Sequence, residues 1–577
     1  MPPTADPADP SASADPGADP TLRGAVRRAV ERAWARAIAS GALPALADDA
    51  EAPAVEVARP THPEHGDAAT NLAMKLARTY RRAPLDIARA LAEELAREAA
   101  ESPATTPVGS VDVAAPGFVN VRYADGALEA AVERILAAPG GWGLVTEAAP
   151  RHVNVEFVSA NPTGPLTIGN ARGAFVGDLL CRVLDAAGHR VTREYYFNDS
   201  GTQVWKLGAS VIAVRRGEPV AEDGYHGDYV NDLAAALPTD LWDAANAPDA
   251  DAAGIVGRWA SERVRAGIEA SLEHLGVHFD VWRTERSLHD EGWVARAIER
   301  LRASGHLFEQ DGALWFRSTA FGDDKDRVII RSNGEPTYFA SDIGYVTEKF
   351  SRGFDELIYI WGQDHHGTVA RVRNAAEAMG YDKAAVRMLL VAWVRFIRDG
   401  VEISMSKRAG TFITLDELLD EIGVDAARWF FASRGPSSGI DFDIELAKKQ
   451  SAENPVYYVQ YAHARIASIL RKAADAGLAP AASVAGALAG APEAALVREV
   501  VRLPEVVEDA AAVEEAQGVT AFATELATTF HAFYRDAKVV DPAEPARSAA
   551  RLALVAAAKT TLANALGLLG ISAPEQM

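Results

Sequence analysis

A short strand, a loop containing proline and glycine, and a long helix follow one another between Val153 and Leu184. Alternating apolar residues from Val153 to Phe157 predict the strand, and apolar residues at helical spacing predict the helix. A helix that begins behind such a loop presents free backbone N–H groups and the positive end of its dipole. The sequence therefore predicts a phosphate-binding turn at the start of this helix.

A basic segment much further along the chain complements this turn. Ser404 to Gly410 reads SMSKRAG, a short loop that can bring Lys407 and Arg408 to the same anion from the opposite side. One element then supplies backbone donors and the other supplies cations, so that the pair can bracket a triphosphate.

The pattern around these segments predicts an α/β fold with a doubly wound parallel sheet. Apolar strands such as Leu357–Trp361 and Met388–Val394 alternate with helices across residues 141–445, apart from a helical insertion at about 201–306. A small α+β domain is predicted for residues 21–140 and an all-helical bundle for residues 446–577. Residues 1–20 repeat Ala-Asp-Pro and are predicted to be a disordered acidic tail.

Composition narrows the class of protein. The absence of an apolar run of about 18 residues argues against a membrane span, and the chain is expected to be cytoplasmic. A single cysteine, Cys181, excludes a disulfide within the chain and is expected to be a buried core residue. The net charge of −22 gives no support for nucleic-acid binding, so that function has to rest on motifs.

The two segments together resemble the two signatures of class I aminoacyl-tRNA synthetases, and the residues between them resemble the arginyl-tRNA synthetase family. Further matching stretches are YYFNDSGTQ, GVHFDVWRTERSL and NPVYYVQYAHARI, and the resemblance extends from about residue 21 to 577. It implies ATP-dependent ligation of L-arginine to tRNA through an arginyl-adenylate, with tRNA needed for activation. It also implies ATP with Mg²⁺ as substrate complex, no permanently bound cofactor and a monomer.

The resemblance assigns ATP to Ala160–Asn170 and Ser404–Arg408, with Thr167, Asn170, Lys407 and Arg408 as catalytic candidates. The residues assigned to ATP are Pro162, Gly164, Thr167, Gly169, Asn170, Gly362, Asp364, His365, Met405, Ser406 and Lys407. The chain departs from the family where Thr167 and Asn170 replace two histidines and where Ser404 replaces a lysine. Neither replacement in the first signature carries charge, so the phosphate contacts must be rearranged.

The family's arginine pocket is matched here by acids and hydrogen-bonding groups that suit a guanidinium. The residues concerned are Glu156, Asn161, Tyr338, Asp342 and Gln363. The resemblance also implies that residues 21–140 bind the tRNA core and that the C-terminal bundle reads the anticodon. Base-stacking and phosphate contacts are expected from Tyr457, Tyr461, His463 and Arg465.

Simpler explanations remain open for several of these residues. Glu156 could pair structurally with Arg172, and Tyr457 and Tyr461 could pack in the helical core. No metal site is expected, because His365 and His366 lack further ligands at metal spacing. Two other functions are possible: a catalytically silent tRNA-binding relative that has lost its histidines, and a small-molecule nucleotidyltransferase with a similar sheet.

Overall fold

The computed structural model describes residues 21–47, 51–103, 105–147, 149–199, 201–403 and 413–577. The predicted acidic tail and the predicted second signature, Ser404–Arg408, lie outside the described residues. The expectations for Met405, Ser406, Lys407 and Arg408 therefore stay predictions.

The N-terminal part combines helices with a four-stranded antiparallel sheet in the order β1-β2-β4-β3. The predicted apolar stripe on the helix that begins at Pro84 is buried, since Ile87, Leu91 and Leu95 are at most 1% exposed. Its elements are α1 (Leu22–Ala39), β1 (Val57–Ala58), β2 (Ala68–Thr70), α2 (Leu72–Tyr80), α3 (Pro84–Glu101), β3 (Val108–Ala114), β4 (Phe118–Tyr123) and α4 (Asp125–Ala137).

The central part is built on a five-stranded parallel sheet in the order β12-β11-β5-β6-β7, flanked by helices. Its first half comprises β5 (His152–Glu156), α5 (Ile168–Ala186), β6 (Arg190–Phe197), α6 (Thr202–Arg216), α7 (Asp228–Ala236), α8 (Thr239–Ala245), α9 (Ala252–His274) and β7 (Val281–Thr284). Its second half comprises α10 (Glu285–Asp290), α11 (Trp293–Ala303), β8 (Leu307–Gln310), β9 (Ala313–Phe316), β10 (Arg327–Ile330), α12 (Tyr338–Ser351), β11 (Glu356–Gly362), α13 (His366–Ala378) and β12 (Val386–Val391). The predicted parallel α/β fold is confirmed.

Two details of that prediction are wrong. The segment 201–306 is not purely helical, because β7 pairs in parallel with β6 and forms the edge of the main sheet. The apolar run Met388–Val394 is not one strand, because the chain leaves the main sheet after Val391. There the Ala392 N–H donates to the Pro436 carbonyl at 2.9 Å, and the next strand belongs to another sheet.

That smaller sheet, in the order β14-β13-β15, leads into the C-terminal helices. The connecting elements are β13 (Val394–Arg398), β14 (Val401–Glu402), α14 (Leu415–Ile422), α15 (Val424–Ala432), β15 (Ile440–Asp443) and α16 (Ile444–Lys448). The predicted helical bundle follows as α17 (Pro455–Asp475), α18 (Ala491–Val500), α19 (Leu503–Val513), α20 (Gln517–Asp536) and α21 (Pro545–Leu568).

Close packing of α5 on the sheet sets the position of the phosphate-binding turn. A Cβ atom at Gly177 would lie 2.2 Å from the Phe157 ring, so glycine allows the helix to approach the end of β5. Cys181, on the same helix, is fully buried as expected. None of the helices in the described part of the chain combines the length and apolar character that a bilayer crossing requires.

Candidate active site

A cavity of about 940 Å³ lies at the carboxyl ends of β5 and β11. Strand order runs outward from β5 to β6 and β7 on one side, and from β11 to β12 on the other. The cavity therefore occupies the point where strand order reverses, which is where doubly wound sheets bind ligands. Of the predicted residues, those that line it are Asn161, Gly164, Thr167, Gly169, Asn170, Gly362, Gln363, Asp364 and His365.

The loop enters the cavity through a strained turn. Val158 and Ser159 have φ values of 65° and 41°, which side chains other than glycine rarely adopt. The Ser159 N–H donates to the Phe157 carbonyl at 2.9 Å across this turn. Such conformations cost energy and persist only where the surroundings hold them, which often marks a functional site.

The first turn of α5 shows how the two replaced histidine positions are used. Thr167 is the N-cap, and its N–H and Oγ1 lie 3.2 Å and 3.0 Å from Asn170 Oδ1. With Oδ1 occupied, Asn170 keeps its amide N–H groups for another acceptor. A Cβ atom at Gly169 would meet only Thr167 Oγ1, at 3.5 Å, among the described atoms. The protein's own described packing therefore does not require glycine there.

The chain returns to this turn directly after the second signature. Ile168 N–H donates to the Ile413 carbonyl at 3.1 Å, and Leu415 N–H donates to the Leu166 carbonyl at 2.9 Å. Thr167 and Thr414 form the antiparallel bridge between these bonds. Residues Ile413 to Leu415, which follow the SMSKRAG segment, are thus hydrogen-bonded to the N-terminus of α5.

Arg172 stabilises the wall of the cavity and does not pair with Glu156, so that alternative is wrong. Its guanidinium donates to the carbonyls of Ala392 and Trp393 at 2.9 Å and 3.0 Å, and to two further carbonyls at 2.9 Å and 2.5 Å. Burial without a carboxylate partner lowers the pKa of Arg172 to about 10. The arginine joins α5 to the segments that enclose the cavity.

Glu156 is buried beside the cavity and already has a cationic partner. Its Oε2 accepts from Lys349 Nζ at 2.7 Å, and its Oε1 accepts from Ser159 Oγ at 3.1 Å. Glu156 therefore already has an ion-pair partner within the protein, and its assignment to the arginine pocket stays a prediction. Ser159 also lines the cavity, so its hydroxyl connects the cavity to this buried pair.

Asp342 is the uncompensated acid of the region. No hydrogen bond or ion pair joins it to another described residue. Burial, together with the negative charges of Glu156 and Glu285, raises its pKa to about 7, and Arg371 acts weakly in the opposite direction. Asp342 therefore lies close enough to Glu156 to be affected by its charge, but neither residue lines the cavity, and their assignment to the arginine pocket stays a prediction.

The remaining predicted pocket residues are more exposed. Tyr338 is 68% exposed and lies one helical turn before Asp342 on the same face of α12. The Asn161 amide donates to Gln203 Oε1 at 2.7 Å, and Gln363 lies in a short 3₁₀ helix at the end of β11. Pro162 is buried and does not line the cavity.

A segment of the insertion forms another wall, and the sequence analysis assigned it no role. Tyr229 donates from its hydroxyl to the Thr163 carbonyl at 2.9 Å, and Lys206 pairs with Asp223 at 2.6 Å. The residues of this segment and of α6 that line the cavity are Gln203, Lys206, Asp223, Gly224, Tyr225, His226 and Tyr229. The sequence signal for this wall is the stretch DGYHGDY, which combines two tyrosines with two glycines.

A surface on α17 and α20 carries the aromatic residues predicted to meet RNA. The Tyr457 and Tyr461 rings are parallel with centroids 6.5 Å apart, and Tyr461 is 40% exposed. The Arg465 guanidinium lies 5.7 Å from the Tyr461 ring and 4.8 Å from the Tyr534 ring. We name Tyr457, Tyr461, Arg465 and Tyr534 the aromatic ladder.

His463 does not belong to this surface, so its prediction as an RNA contact is wrong. It is 2% exposed, and its Nδ1 lies 2.9 Å from the carbonyl oxygen of Pro574. Desolvation lowers the pKa of His463 below its usual value. Its role is to dock the C-terminal residues on α17. Within the described ranges, no three His, Cys, Asp or Glu side chains are grouped to hold a metal ion.

Comparison with known protein families matches three consecutive regions of the chain. Residues 21–123 match the arginyl tRNA synthetase N terminal domain, and residues 132–220 and 258–436 match the catalytic domain of class I (R) tRNA synthetases. Residues 459–577 match the DALR anticodon binding domain.

Similar proteins and structures agree with these matches. An arginine–tRNA ligase of Geobacter sp. (strain M21) is 46% identical over 535 residues, which span 91% of this chain and 96% of that protein. One from Bacillus licheniformis is 42% identical over 539 residues, spanning 92% and 96%. The structure of Thermus thermophilus arginyl-tRNA synthetase is 24% identical, with a TM-score of 0.74, and the alignment covers 96% of this chain and 100% of that one.

Proposed function

The chain belongs to the arginyl-tRNA synthetase family of class I aminoacyl-tRNA synthetases, and we propose that it ligates L-arginine to its cognate tRNA with ATP. The observation that carries this proposal is the unpaired Asp342 carboxylate, which feels the charge of Glu156, the acid that Ser159 connects to a cavity of nucleotide size. A guanidinium is the cation that such an acid pairs with most specifically, because its planar donors match a carboxylate.

The first step forms an arginyl-adenylate. An oxygen of the arginine carboxylate attacks the α-phosphorus of ATP, the bond from that phosphorus to the bridging oxygen breaks, and pyrophosphate leaves with the charge. The protein contributes mainly position and electrostatic stabilisation to such a step. The backbone N–H groups at the start of α5 and the Asn170 amide face the phosphates, and the Gly169 position leaves room for the nucleoside.

Lys407 and Arg408 serve the leaving group in this proposal. Their segment is followed by Ile413–Leu415, which is hydrogen-bonded to the residues around Thr167. This anchoring supports their approach to the same triphosphate from the opposite side. A cation that acts on charge developing on pyrophosphate lowers the barrier and affects ground-state binding of ATP much less.

The second step transfers arginine to tRNA. A hydroxyl of the terminal ribose attacks the carbonyl carbon of the adenylate, and AMP leaves. The aromatic ladder, of which Tyr461 is exposed and the other members are half-buried, supports recognition of unpaired tRNA bases by the C-terminal bundle, because aromatic rings and guanidinium groups stack on bases. Membership of the family supports four further parts of the proposal. Arginine activation requires bound tRNA, Mg²⁺ enters with ATP, the protein is a monomer, and it is located in the cytoplasm.

The two alternatives fit less well. A silent tRNA-binding relative would not need an acid kept unpaired at the substrate position, because such a group destabilises the fold without benefit. A small-molecule nucleotidyltransferase would leave the N-terminal and C-terminal domains without a role. The absence of the two histidines does not favour either alternative, because Thr167 and Asn170 form an ordered start of α5 at those positions.

A charging assay with purified tRNA tests the proposal. We expect the full chain to attach arginine to arginine isoacceptors when ATP and Mg²⁺ are present, and to exchange pyrophosphate into ATP only when tRNA is added. Exchange without tRNA would refute the tRNA requirement alone. A chain that binds tRNA but neither charges nor exchanges would be the silent relative.

A further inference from the structure

A fully buried lysine is paired with Glu156, one of the two acids predicted for the arginine pocket. The Lys349 side chain, near the end of α12, is 0% exposed and donates from Nζ to Glu156 Oε2 at 2.7 Å. The same Nζ lies 4.3 Å from the centroid of the Tyr345 ring and 4.1 Å from that of the Tyr359 ring. An ammonium group held by one carboxylate and two aromatic rings has a single position.

Glu156 connects the fixed Lys349 ammonium group to the loop that follows β5. Its second oxygen accepts from Ser159 Oγ at 3.1 Å, and Ser159 Oγ in turn accepts from the Tyr196 N–H at 3.2 Å. Ser159 belongs to the turn with positive φ that begins the ATP-binding loop. Because that backbone conformation is unfavourable for Val158 and Ser159, contacts outside the turn must hold it.

We propose that Lys349 is a positioning residue of the active site, which holds Glu156 and, through Ser159, the turn that begins the ATP-binding loop. This rests on the proposed function, because it assigns Lys349 an effect on arginine activation. The ammonium does not contact substrate itself. With Glu156 paired to Lys349, the guanidinium of arginine is left to Asp342, the acid without a partner among the described residues.

Arg352 offers a matched control on the same helix. It pairs with Glu194 on β6 at 2.8 Å, and Glu194 is fully buried. The other side-chain bonds of Glu194 come from Asn154 and Tyr345, and none of them reaches the loop directly, although the Tyr345 ring also contacts Lys349 Nζ. Removing either cation leaves a buried carboxylate unpaired and should destabilise the fold. Only removal of Lys349 should also change the kinetics.

The test is arginine charging by the full chain with Lys349→Met, Glu156→Gln, the double variant and Arg352→Met, each assayed well below its own Tm. We expect Lys349→Met to lower kcat/KM for arginine about tenfold or more, because a charge-assisted hydrogen bond is lost. Arg352→Met should stay within about twofold of wild type. The double variant should be no worse than Glu156→Gln alone, since residues that act through one another are not additive.

Several outcomes would overturn the proposal. Lys349→Met and Arg352→Met could lower kcat/KM equally, or the effects of Lys349→Met and Glu156→Gln could multiply. A lower KM for arginine in Lys349→Met would show that the Lys349 ammonium group competes with the substrate for Glu156. If Lys349→Met does not fold, the double variant decides alone, because it leaves no buried unpaired charge. Wild-type kcat/KM in that variant would mean that the pair is only structural.

Two further measurements separate this inference from the proposed function. Ser159→Ala should also lower kcat/KM for arginine, as Lys349→Met does, and an unchanged kcat/KM in Ser159→Ala would show that Lys349 does not act through the loop. Arginine binding by calorimetry is read independently of charging. Wild-type protein that binds arginine without charging tRNA would refute the proposed function, and the arginine Kd of the same variants would then decide the role of Lys349.

Discussion

Thr167 and Asn170 are hydrogen-bonded to each other at the start of α5, with Thr167 Oγ1 3.0 Å from Asn170 Oδ1. The two residues that replace the family's histidines thus form one unit that shapes the helix end. Their hydrogen bonds leave the Asn170 amide N–H groups as the side-chain donors of this turn. ATP binding here should therefore depend more on helix-terminal N–H groups than on side-chain charge.

Asn170→Asp should separate the two roles of this residue. An aspartate keeps an acceptor oxygen for Thr167, and its charge is favourable near a helix N-terminus, so the Tm should be unchanged or higher. The same charge repels the phosphates, and KM for ATP should rise about tenfold or more. Thermal unfolding and ATP-dependent kinetics measure both effects. An unaltered KM would show that the triphosphate does not approach Asn170.

Asp342→Asn should stabilise the fold and weaken the binding of arginine. The folded protein raises the pKa of Asp342 to about 7, so ionisation at pH 8 works against the fold. The amide removes that cost, and the Tm at pH 8 should increase by a few degrees. KM for arginine should rise about tenfold or more, because the guanidinium loses its charged partner. A lower Tm together with an unchanged KM would contradict both parts.

The same carboxyl group gives the activity a pH dependence of known sign. Below about pH 7 Asp342 is mostly protonated and cannot pair with a guanidinium, so kcat/KM for arginine should fall as pH drops from 8 to 6. Because the folded-state pKa lies above the unfolded value, this group's contribution to stability moves oppositely and decreases as pH rises. Asp342→Asn should lose the step near pH 7, and its persistence would assign the step to another group.

Lys407→Ala should depress kcat about a hundredfold and change KM for ATP only slightly, because the cation acts on charge that develops in the transition state. Lys449→Ala is the control, since Lys449 lies on the surface and pairs with Glu453 at the end of α16. Pyrophosphate exchange with saturating tRNA gives both constants. A normal kcat in Lys407→Ala would remove this residue from the mechanism.

Tyr461→Ala should raise KM for tRNA about tenfold, as expected when one stacked base is lost, without affecting KM for ATP or arginine. His463→Gln should lower the Tm and leave KM for tRNA unchanged, because His463 is buried against Pro574. The pair distinguishes the exposed face of α17 from its buried face. Equal effects on tRNA from both variants would indicate that the whole helix had moved.

Local patterns explain which parts of the fold could be predicted. The alternation at Val153–Phe157 and the apolar stripe of the next helix placed β5, the loop and α5 correctly, because each depends on neighbouring residues. The strand β7 was not predicted, because a segment of four residues between long helices is too short to show a strand periodicity. Its parallel pairing with β6 involves residues more than 80 positions apart.

The sequence by itself determined the class of protein and singled out Glu156 and Asp342 as candidates for the arginine pocket, because motif order and residue type are properties of the chain. Tertiary structure alone decided the partners of the charged side chains. Glu156 pairs with Lys349 at 2.7 Å, whereas Arg172 binds backbone carbonyls and His463 binds a carbonyl near the chain end. A buried charged group needs a partner, and that partner is a residue that the fold brings next to it from a distant part of the chain. The spacing of residues along the sequence does not predict which residue this is.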